Sequence, residues 1–388
     1  MINTMKQFYA AIDLGTTTIE ASLLRTDGIV LAKYGFQNPQ SRFGSDVISR
    51  MTYLGKHPES EELRKCVFAK IREVLSVLLS GQGAEYPADL VRIVITGNTV
   101  MAAILLGIHT ESLGRAPFAM PMTETGIFQL DGIPAYVPVG ASAFLGSDSC
   151  GGAWVLPLEE NELLLDLGTN GEMLLCHDGR IHGASAACGP AFENCTRAQG
   201  VYGSTTLAAI ARLIKRGKLP ADGTIPEAVA KYGIYEDGTI PETSSNKAGP
   251  DHLLITPKIL QEVMMAGAAI YATFCLLLKR AECHASDIRR IYLAGGFGFH
   301  MSLRDAGTLG ILPEALLGRA TISGNTSLLA AEKMVLQNDA SQSGGNIGEY
   351  DLFRRKVITH QFAGDREYEK LFLRSLNFNK RIIFETEE

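Results

Sequence analysis

The sequence predicts an α/β protein built as two similar halves around a central cleft, and three observations carry that prediction. Asp13-Leu14-Gly15-Thr16-Thr17 and Asp166-Leu167-Gly168-Thr169-Asn170 repeat one short string. Each follows an apolar run, FYAAI before Asp13 and ELLL before Asp166. Each then leads through a second apolar stretch to an Asp-Gly turn, Asp27-Gly28 in the first copy and Asp178-Gly179 in the second. Strand, carboxylate, Gly-Thr turn, strand, hairpin and strand thus occur twice.

In the first copy the alternation predicts strands near 8–13, 19–25 and 29–35, with Asp27-Gly28 closing a hairpin. Residues 60–80 carry apolar side chains at helical spacing, with Glu61 and Glu62 in the first turn and Gly81 beyond the end. RIVIT at 92–96 reads as a strand ending in Gly97-Asn98-Thr99. A strand at 135–139 leads through Gly140 into a small-residue helix around 141–155.

The second copy predicts strands near 162–167, 172–177 and 180–185. RRIYLA at 289–294 ends in Gly295-Gly296-Phe297-Gly298 and mirrors RIVIT. ATIS at 320–323 passes through Gly324-Asn325-Thr326 into a helix over 327–337, mirroring 135–155. The halves meet near 155–162, which divides the chain into 1–157 and 158–388, the latter with a tail of docked aromatics. The polar stretches 236–251 and 338–348 read as surface loops.

With 388 residues, 46% hydrophobic and 20% charged, the chain has enough apolar material for a sizeable core. A net charge of −6 supplies no general attraction to nucleic acid or to anionic membranes, so neither is expected as a partner. MINTMKQFYA shows no secretory signal, and seven cysteines are spaced without Cys-x-x-Cys. Both features predict reduced thiols in the cytoplasm. The most apolar stretch, Val263–Leu278, falls short of a bilayer span and predicts a buried helix.

The chemistry follows from the repeated turn. Glycine permits the positive φ that aims successive N–H groups at an anion, and threonine adds a hydroxyl. A carboxylate at the strand end repels phosphate but suits Mg²⁺, held through water, or an attacking water. Asp13 and Asp166 are therefore the candidate catalytic and metal-holding groups, with Glu172 as a base or a ligand to metal-bound water. Gly15, Thr16, Thr17, Gly97, Asn98, Gly168, Thr169 and Asn170 are candidate phosphate contacts. Gly295, Gly296, Phe297 and Gly298 would let the flat adenosine approach the backbone. ATP with Mg²⁺ is the expected cofactor. Asn98 and Thr99 serve equally as helix caps. Asp148 is a candidate supporting carboxylate. Asp46 and Arg50, at i, i+4 spacing, read as an ordinary surface pair and not as catalytic groups, with shaping of the cleft as the alternative.

The order of these motifs resembles the actin, sugar kinase and Hsp70 ATPase superfamily. The resemblance implies a duplicated actin/Hsp70-like, ribonuclease H-like fold. Within it, several strings are similar to the ATPase region of the reductive activators of corrinoid-dependent enzymes. They are Asn38-Pro39-Gln40, Phe43-Gly44-Ser45-Asp46-Val47-Ile48-Ser49-Arg50, Gly97-Asn98-Thr99-Val100-Met101, Ala116-Pro117-Phe118, Leu165 through Glu172, Gly189-Pro190-Ala191-Phe192-Glu193 and Leu293 through Gly298. That resemblance implies an ATPase that restores oxidised Co(II) corrinoid proteins of methyltransferase systems to Co(I).

Family members take electrons through an N-terminal [2Fe-2S] domain. None is read here, so a separate donor such as a ferredoxin is expected, and a homodimer is admitted. Val201–Leu207 stands where the family has a longer Gly-Ile-Cys-Gly-Ser-Gly-Leu-Ile-Asp segment. Ile255-Thr256-Pro257-Lys258 replaces an Ile-Thr-Gln-Asp motif. The competing expectations are a small-molecule kinase of the same architecture and a nucleotide-binding regulator without turnover.

Overall fold

Residues 7–168, 170–189, 203–241, 253–295, 302–336 and 347–378 are described by a computed structural model of the chain. They form two compact units: 1–157 with 325–359, and 158–324 with 360–388.

The first unit is built on a six-stranded sheet. Its strands are β1 (Phe8–Leu14), β2 (Thr18–Arg25), β3 (Val30–Gln37), β4 (Leu90–Gly97), β5 (Gly126–Leu130) and β6 (Ile133–Val137), in the order β3-β2-β1-β4-β6-β5. The β1–β2 and β2–β3 pairs are antiparallel hairpins, as period-two patterns around tight turns dictate. β4 and β6 join in parallel, each after a crossover through helices.

Helices α1 (Val47–Lys56) and α2 (Glu62–Ser80) precede β4, and α3 (Thr99–Leu106) and α4 (Ser147–Val155) follow β4 and β6. Only the second half of the expected 141–155 helix is helical. Residues 141–146 form a tight turn, with the Ala141 N–H donating to the Leu145 carbonyl at 2.9 Å. Apolar residues of α2 (Leu63, Val67, Ile71, Leu75) are buried with Ile12, Leu14 and Ile95 in one core.

The second unit repeats the plan. Its sheet includes, in order, β13-β12-β7-β8-β9. These strands are β7 (Glu162–Leu167), β8 (Gly171–His177), β9 (Arg180–Ala186), β12 (Arg290–Ala294) and β13 (Ala320–Gly324). β10 (Ile234–Tyr235) and β11 (Leu254–Ile255) form a two-stranded ribbon; most of the stretch 236–251 expected as a surface loop, and nearly all of 338–348, lies outside the described residues. Helices α5 (Gly203–Lys215) and α6 (Glu227–Tyr232) lead to α7 (Pro257–Ala281), and α8 (Leu303–Thr308) follows β12.

α7 is longer than its apolar stretch suggested. Thr256 caps it, Pro257 opens it and Lys279-Arg280 occupy the last turn, giving 25 residues. By length and composition it would cross a bilayer. Its apolar face is instead buried in the unit's core with strand residues such as Leu165 and Met173.

The first unit does not end at Pro157. Residues 325–359, read from sequence as part of the second half, belong to it. α9 (Thr326–Leu336) packs on α4 and on β1 and β4, because Leu328, Ala330, Ala331 and Met334 present an apolar face. α10 (Ile347–Arg354) adds Tyr350, fully buried, whose hydroxyl donates to the Val139 carbonyl at 2.7 Å. α11 (Arg366–Arg374) closes the second unit against α7.

Candidate functional site

In the first unit, β1 delivers Asp13 to the end of the sheet, where the chain turns through Gly15, Thr16 and Thr17 into β2. The turn's carbonyl groups are all engaged by the protein. Asn38 Nδ2 donates to the Gly15 carbonyl at 2.8 Å, Arg50 Nη2 to that of Thr16 at 2.6 Å, and the Asn38 N–H to that of Thr17 at 2.8 Å. Asn98 acts as the helix cap and also ties the turn to α3. Its Oδ1 accepts from the Met101 N–H at 3.0 Å, capping α3, while its Nδ2 donates to Thr16 Oγ1 at 3.1 Å. Gly97 lies beside Leu14 in the β1–β4 register.

Neither Gly15 nor Gly168 adopts the positive φ expected of it. Glycine is required at 15 for space, since a Cβ there would lie 2.4 Å from the Thr18 carbonyl oxygen.

Asp13 is held at both oxygens. Asn325 Nδ2 donates to Oδ2 at 2.8 Å and Ser327 Oγ to Oδ1 at 2.7 Å, with Thr96 Oγ1 2.9 Å from Ser327 Oγ. Glu20 faces Asp13 directly across the hairpin. Burial pushes the Asp13 carboxyl up to about 7. The Ser327 and Asn325 bonds oppose this, and the charges of Asp148 and Glu20 add to it. Asp148, in the first turn of α4, is itself pushed up to about 6 by burial, against a 2.7 Å hydrogen bond from the Ser149 N–H.

The second unit repeats the carboxylate pair. Asp166 faces Glu172 across the β7–β8 hairpin, as Asp13 faces Glu20. Both are buried, so Glu172 is not a solvated strand residue. The Gly168 N–H donates to the Asn170 carbonyl at 2.9 Å and closes the turn. Gly295, with φ +84°, follows β12 and comes against Asp166. Thr169, Gly296, Phe297 and Gly298 lie outside the described residues, as do Glu193 and Cys195. Cys188 is buried, and desolvation raises its thiol well above the usual range, which fits packing and not ligation.

The geometry also corrects the reading of Arg50 and adds residues to the site. Arg50 is no surface residue; it is fully buried behind the turn, while Asp46 caps α1. Glu20, Asn325 and Ser327 were not singled out, although the register opposite Asp13 and the mirrored Gly324-Asn325-Thr326 string pointed towards them.

A nucleotide fits these residues on one further observation. The Thr17 hydroxyl is buried and has no protein partner, and a buried unpaired hydroxyl is costly unless a ligand engages it. Among the described residues no three His, Cys, Asp or Glu side chains converge as a metal site.

Two α/β units, each with a carboxylate ahead of a tight turn between antiparallel strands, define an actin/Hsp70-like, ASKHA-type domain. The match is specific: residues 8–161 correspond to the RACo middle region, and 160–197 with 194–386 to the C-terminal domain of RACo, the ASKHA domain. The chain belongs to the RACo family.

It is 28% identical to the corrinoid activation enzyme RamQ of Eubacterium limosum, covering 96% of this chain and 70% of that protein. It is also 28% identical to a Methanosarcina barkeri protein named [Co(II) methylated amine-specific corrinoid protein] reductase, over 46% of this chain and 39% of that one. A solved reductive activator for corrinoid,iron-sulfur protein superposes with a TM-score of 0.79 at 25% identity, over 97% of this chain and 66% of the other. The chain thus spans about two thirds or less of the solved and reductase relatives.

Proposed function

We propose that this protein is an ATP-binding and ATP-hydrolysing activator that promotes reductive reactivation, Co(II) to Co(I), of a corrinoid protein in a methyltransferase system. The observation that carries this reading is the likeness to a named corrinoid activation enzyme along 96% of the chain, both units included. The held turn, the unpartnered Thr17 hydroxyl and the Asp13 and Asp166 carboxylates supply what ATP requires.

Bound ATP with Mg²⁺ supplies the free energy for an otherwise uphill one-electron step. Each tenfold shift in such an equilibrium corresponds to about 59 mV. Thr16 and Thr17 in the first unit, and Gly168 and Asn170 in the second, would offer contacts to phosphate, and Asp13 and Asp166 would hold Mg²⁺ through water. Glu172, opposite Asp166, would accept a proton from water. The electron comes from a separate donor such as a ferredoxin, in the cytoplasm.

The test is ATP hydrolysis measured with and without a corrinoid protein encoded beside this gene, under a reductant, while the corrinoid spectrum is followed. Stimulated hydrolysis with loss of the Co(II) spectrum supports the reading. Hydrolysis stimulated only by a sugar or acid makes the protein a kinase, and tight ATP binding without turnover makes it a regulator. Asp166→Asn is expected to abolish turnover and leave the fold intact.

A further inference from the structure

Behind the Gly15–Thr17 turn stands a guanidinium from which no water is accessible. Arg50 is 0% exposed. Its Nη2 donates to the Thr16 carbonyl at 2.6 Å, Nη1 to Gln40 Oε1 at 3.1 Å and Nε to the Gly44 carbonyl at 3.1 Å. Asn38 takes the carbonyls on either side, Gly15 through Nδ2 and Thr17 through its N–H. In a trans peptide the carbonyl of one residue and the N–H of the next point in opposite directions. The Thr16 and Thr17 N–H groups are therefore turned away from Asn38 and Arg50.

Resting on the ATP reading above, we propose that Arg50, assisted by Asn38, is the positioning residue of the phosphate turn. It fixes the peptide planes so that the amides stand ready for a polyphosphate before one arrives.

Two physical points favour this over plain packing. Desolvating a guanidinium is costly, whereas an apolar side chain against Met101 would anchor α1 at no such cost. A turn ordered in advance avoids the ordering cost on binding, and a cation in a poorly screened interior attracts an anion further. Arg50 touches no ligand in this account; it acts by holding the turn, and its charge adds to the attraction at a distance.

The experiment compares the binding of ATP, tripolyphosphate and adenosine to the full chain by calorimetry, with thermal melts alongside. Arg50→Met is expected to lose about 10- to 100-fold in affinity for ATP and tripolyphosphate, the equivalent of one or two charge-assisted hydrogen bonds. Its affinity for adenosine stays within about twofold of wild type. Arg50→Lys, which keeps the charge without the planar fork, recovers part of the loss. General loosening would weaken adenosine and ATP together.

An Arg50→Met protein with the wild-type ratio of ATP to adenosine affinity overturns the role of Arg50 and leaves the nucleotide reading standing. If Arg50→Met does not fold, Asn38→Ser must show the same selective loss, and an unchanged ratio there overturns the proposal equally. Wild-type protein that binds neither ATP nor tripolyphosphate overturns both.

Discussion

Gly295 stands against the carboxylate of Asp166. A Cβ on Gly295 would lie 2.3 Å from Asp166 Oδ1 and 2.5 Å from the Leu167 carbonyl oxygen, and the residue's φ is +84°. The end of β12 is thus pressed onto the end of β7 at the carboxylate proposed to organise Mg²⁺ and water. Only hydrogen fits between them.

Gly295→Ala should accordingly displace either the carboxylate or the strand end. The positive φ and the overlap together cost about 1–3 kcal/mol, enough to lower Tm by several degrees. Turnover of ATP, assayed well below the melting transition, should fall by more than about tenfold, because a catalytic group shifted by part of an ångström loses its alignment. Full turnover in a folded Gly295→Ala protein would separate Asp166 from the chemistry.

The Thr17 hydroxyl allows a sharper test, because its two effects have opposite signs. Buried without a partner in the free protein, it destabilises the fold by about 1 kcal/mol or more. Thr17→Val keeps the shape and removes the unmet group. The ligand-free protein should melt higher, while affinity for ATP drops about tenfold through loss of one donor. Differential scanning calorimetry and nucleotide titration on the same sample check both signs. A variant that loses stability and keeps its affinity contradicts the role assigned to the hydroxyl.

Much of this arrangement was readable from local chemistry. Hairpins write period two and an Asp-Gly turn into contiguous residues, so β1–β3 and β7–β9 could be placed on sight. The carboxylate ahead of each turn came with them. The supports of the turn were not readable, because they are set by tertiary contact. Arg50 sits four residues after Asp46, a spacing that on an ordinary helix describes solvent-exposed partners. Only the packing of α1 shows that Asp46 caps the helix and that Arg50 points inward. Asn325 and Ser327 reach Asp13 from 312 and 314 positions further along the chain, and no local pattern encodes that return. The same long return places 325–359 with the first unit in the fold, which no local pattern shows.

Asp13 makes the stability of the ligand-free protein depend on pH. Its carboxyl is pushed up to about 7, chiefly by burial, from an ordinary value near 3.8. An acid whose folded pKa lies above its unfolded value binds its proton more tightly in the folded chain. Between about pH 4 and pH 7 the folded state therefore holds more protons, and stability falls as pH rises through that window. Asp148, pushed up to about 6, acts in the same direction. Asp13→Asn removes the larger contribution. The stability advantage of the variant in metal-free buffer, read from melts, should be small near pH 4, grow towards pH 7 and level off above it, reaching about 1–3 kcal/mol. A pH-independent difference would mean that Asp13 ionises without burial cost.

Tyr350 tests whether the returning segment is part of the first unit's core or an appendage to it. The ring is 0% exposed and stacks edge-on against Trp154 at 5.9 Å, and the hydroxyl donates to the Val139 carbonyl at 2.7 Å. Removing the hydroxyl alone, in Tyr350→Phe, leaves the Val139 carbonyl without that donor and should cost about 1 kcal/mol. Tyr350→Ala also opens a cavity of ring size and should cost about 3–5 kcal/mol. Denaturant titration should find both losses in the transition that reports the first unit, followed through the single tryptophan, Trp154, on α4. An appendage would melt separately and leave the tryptophan signal of Tyr350→Ala at its wild-type midpoint. The burial of Tyr350 and its bond to Val139 require the two to shift together.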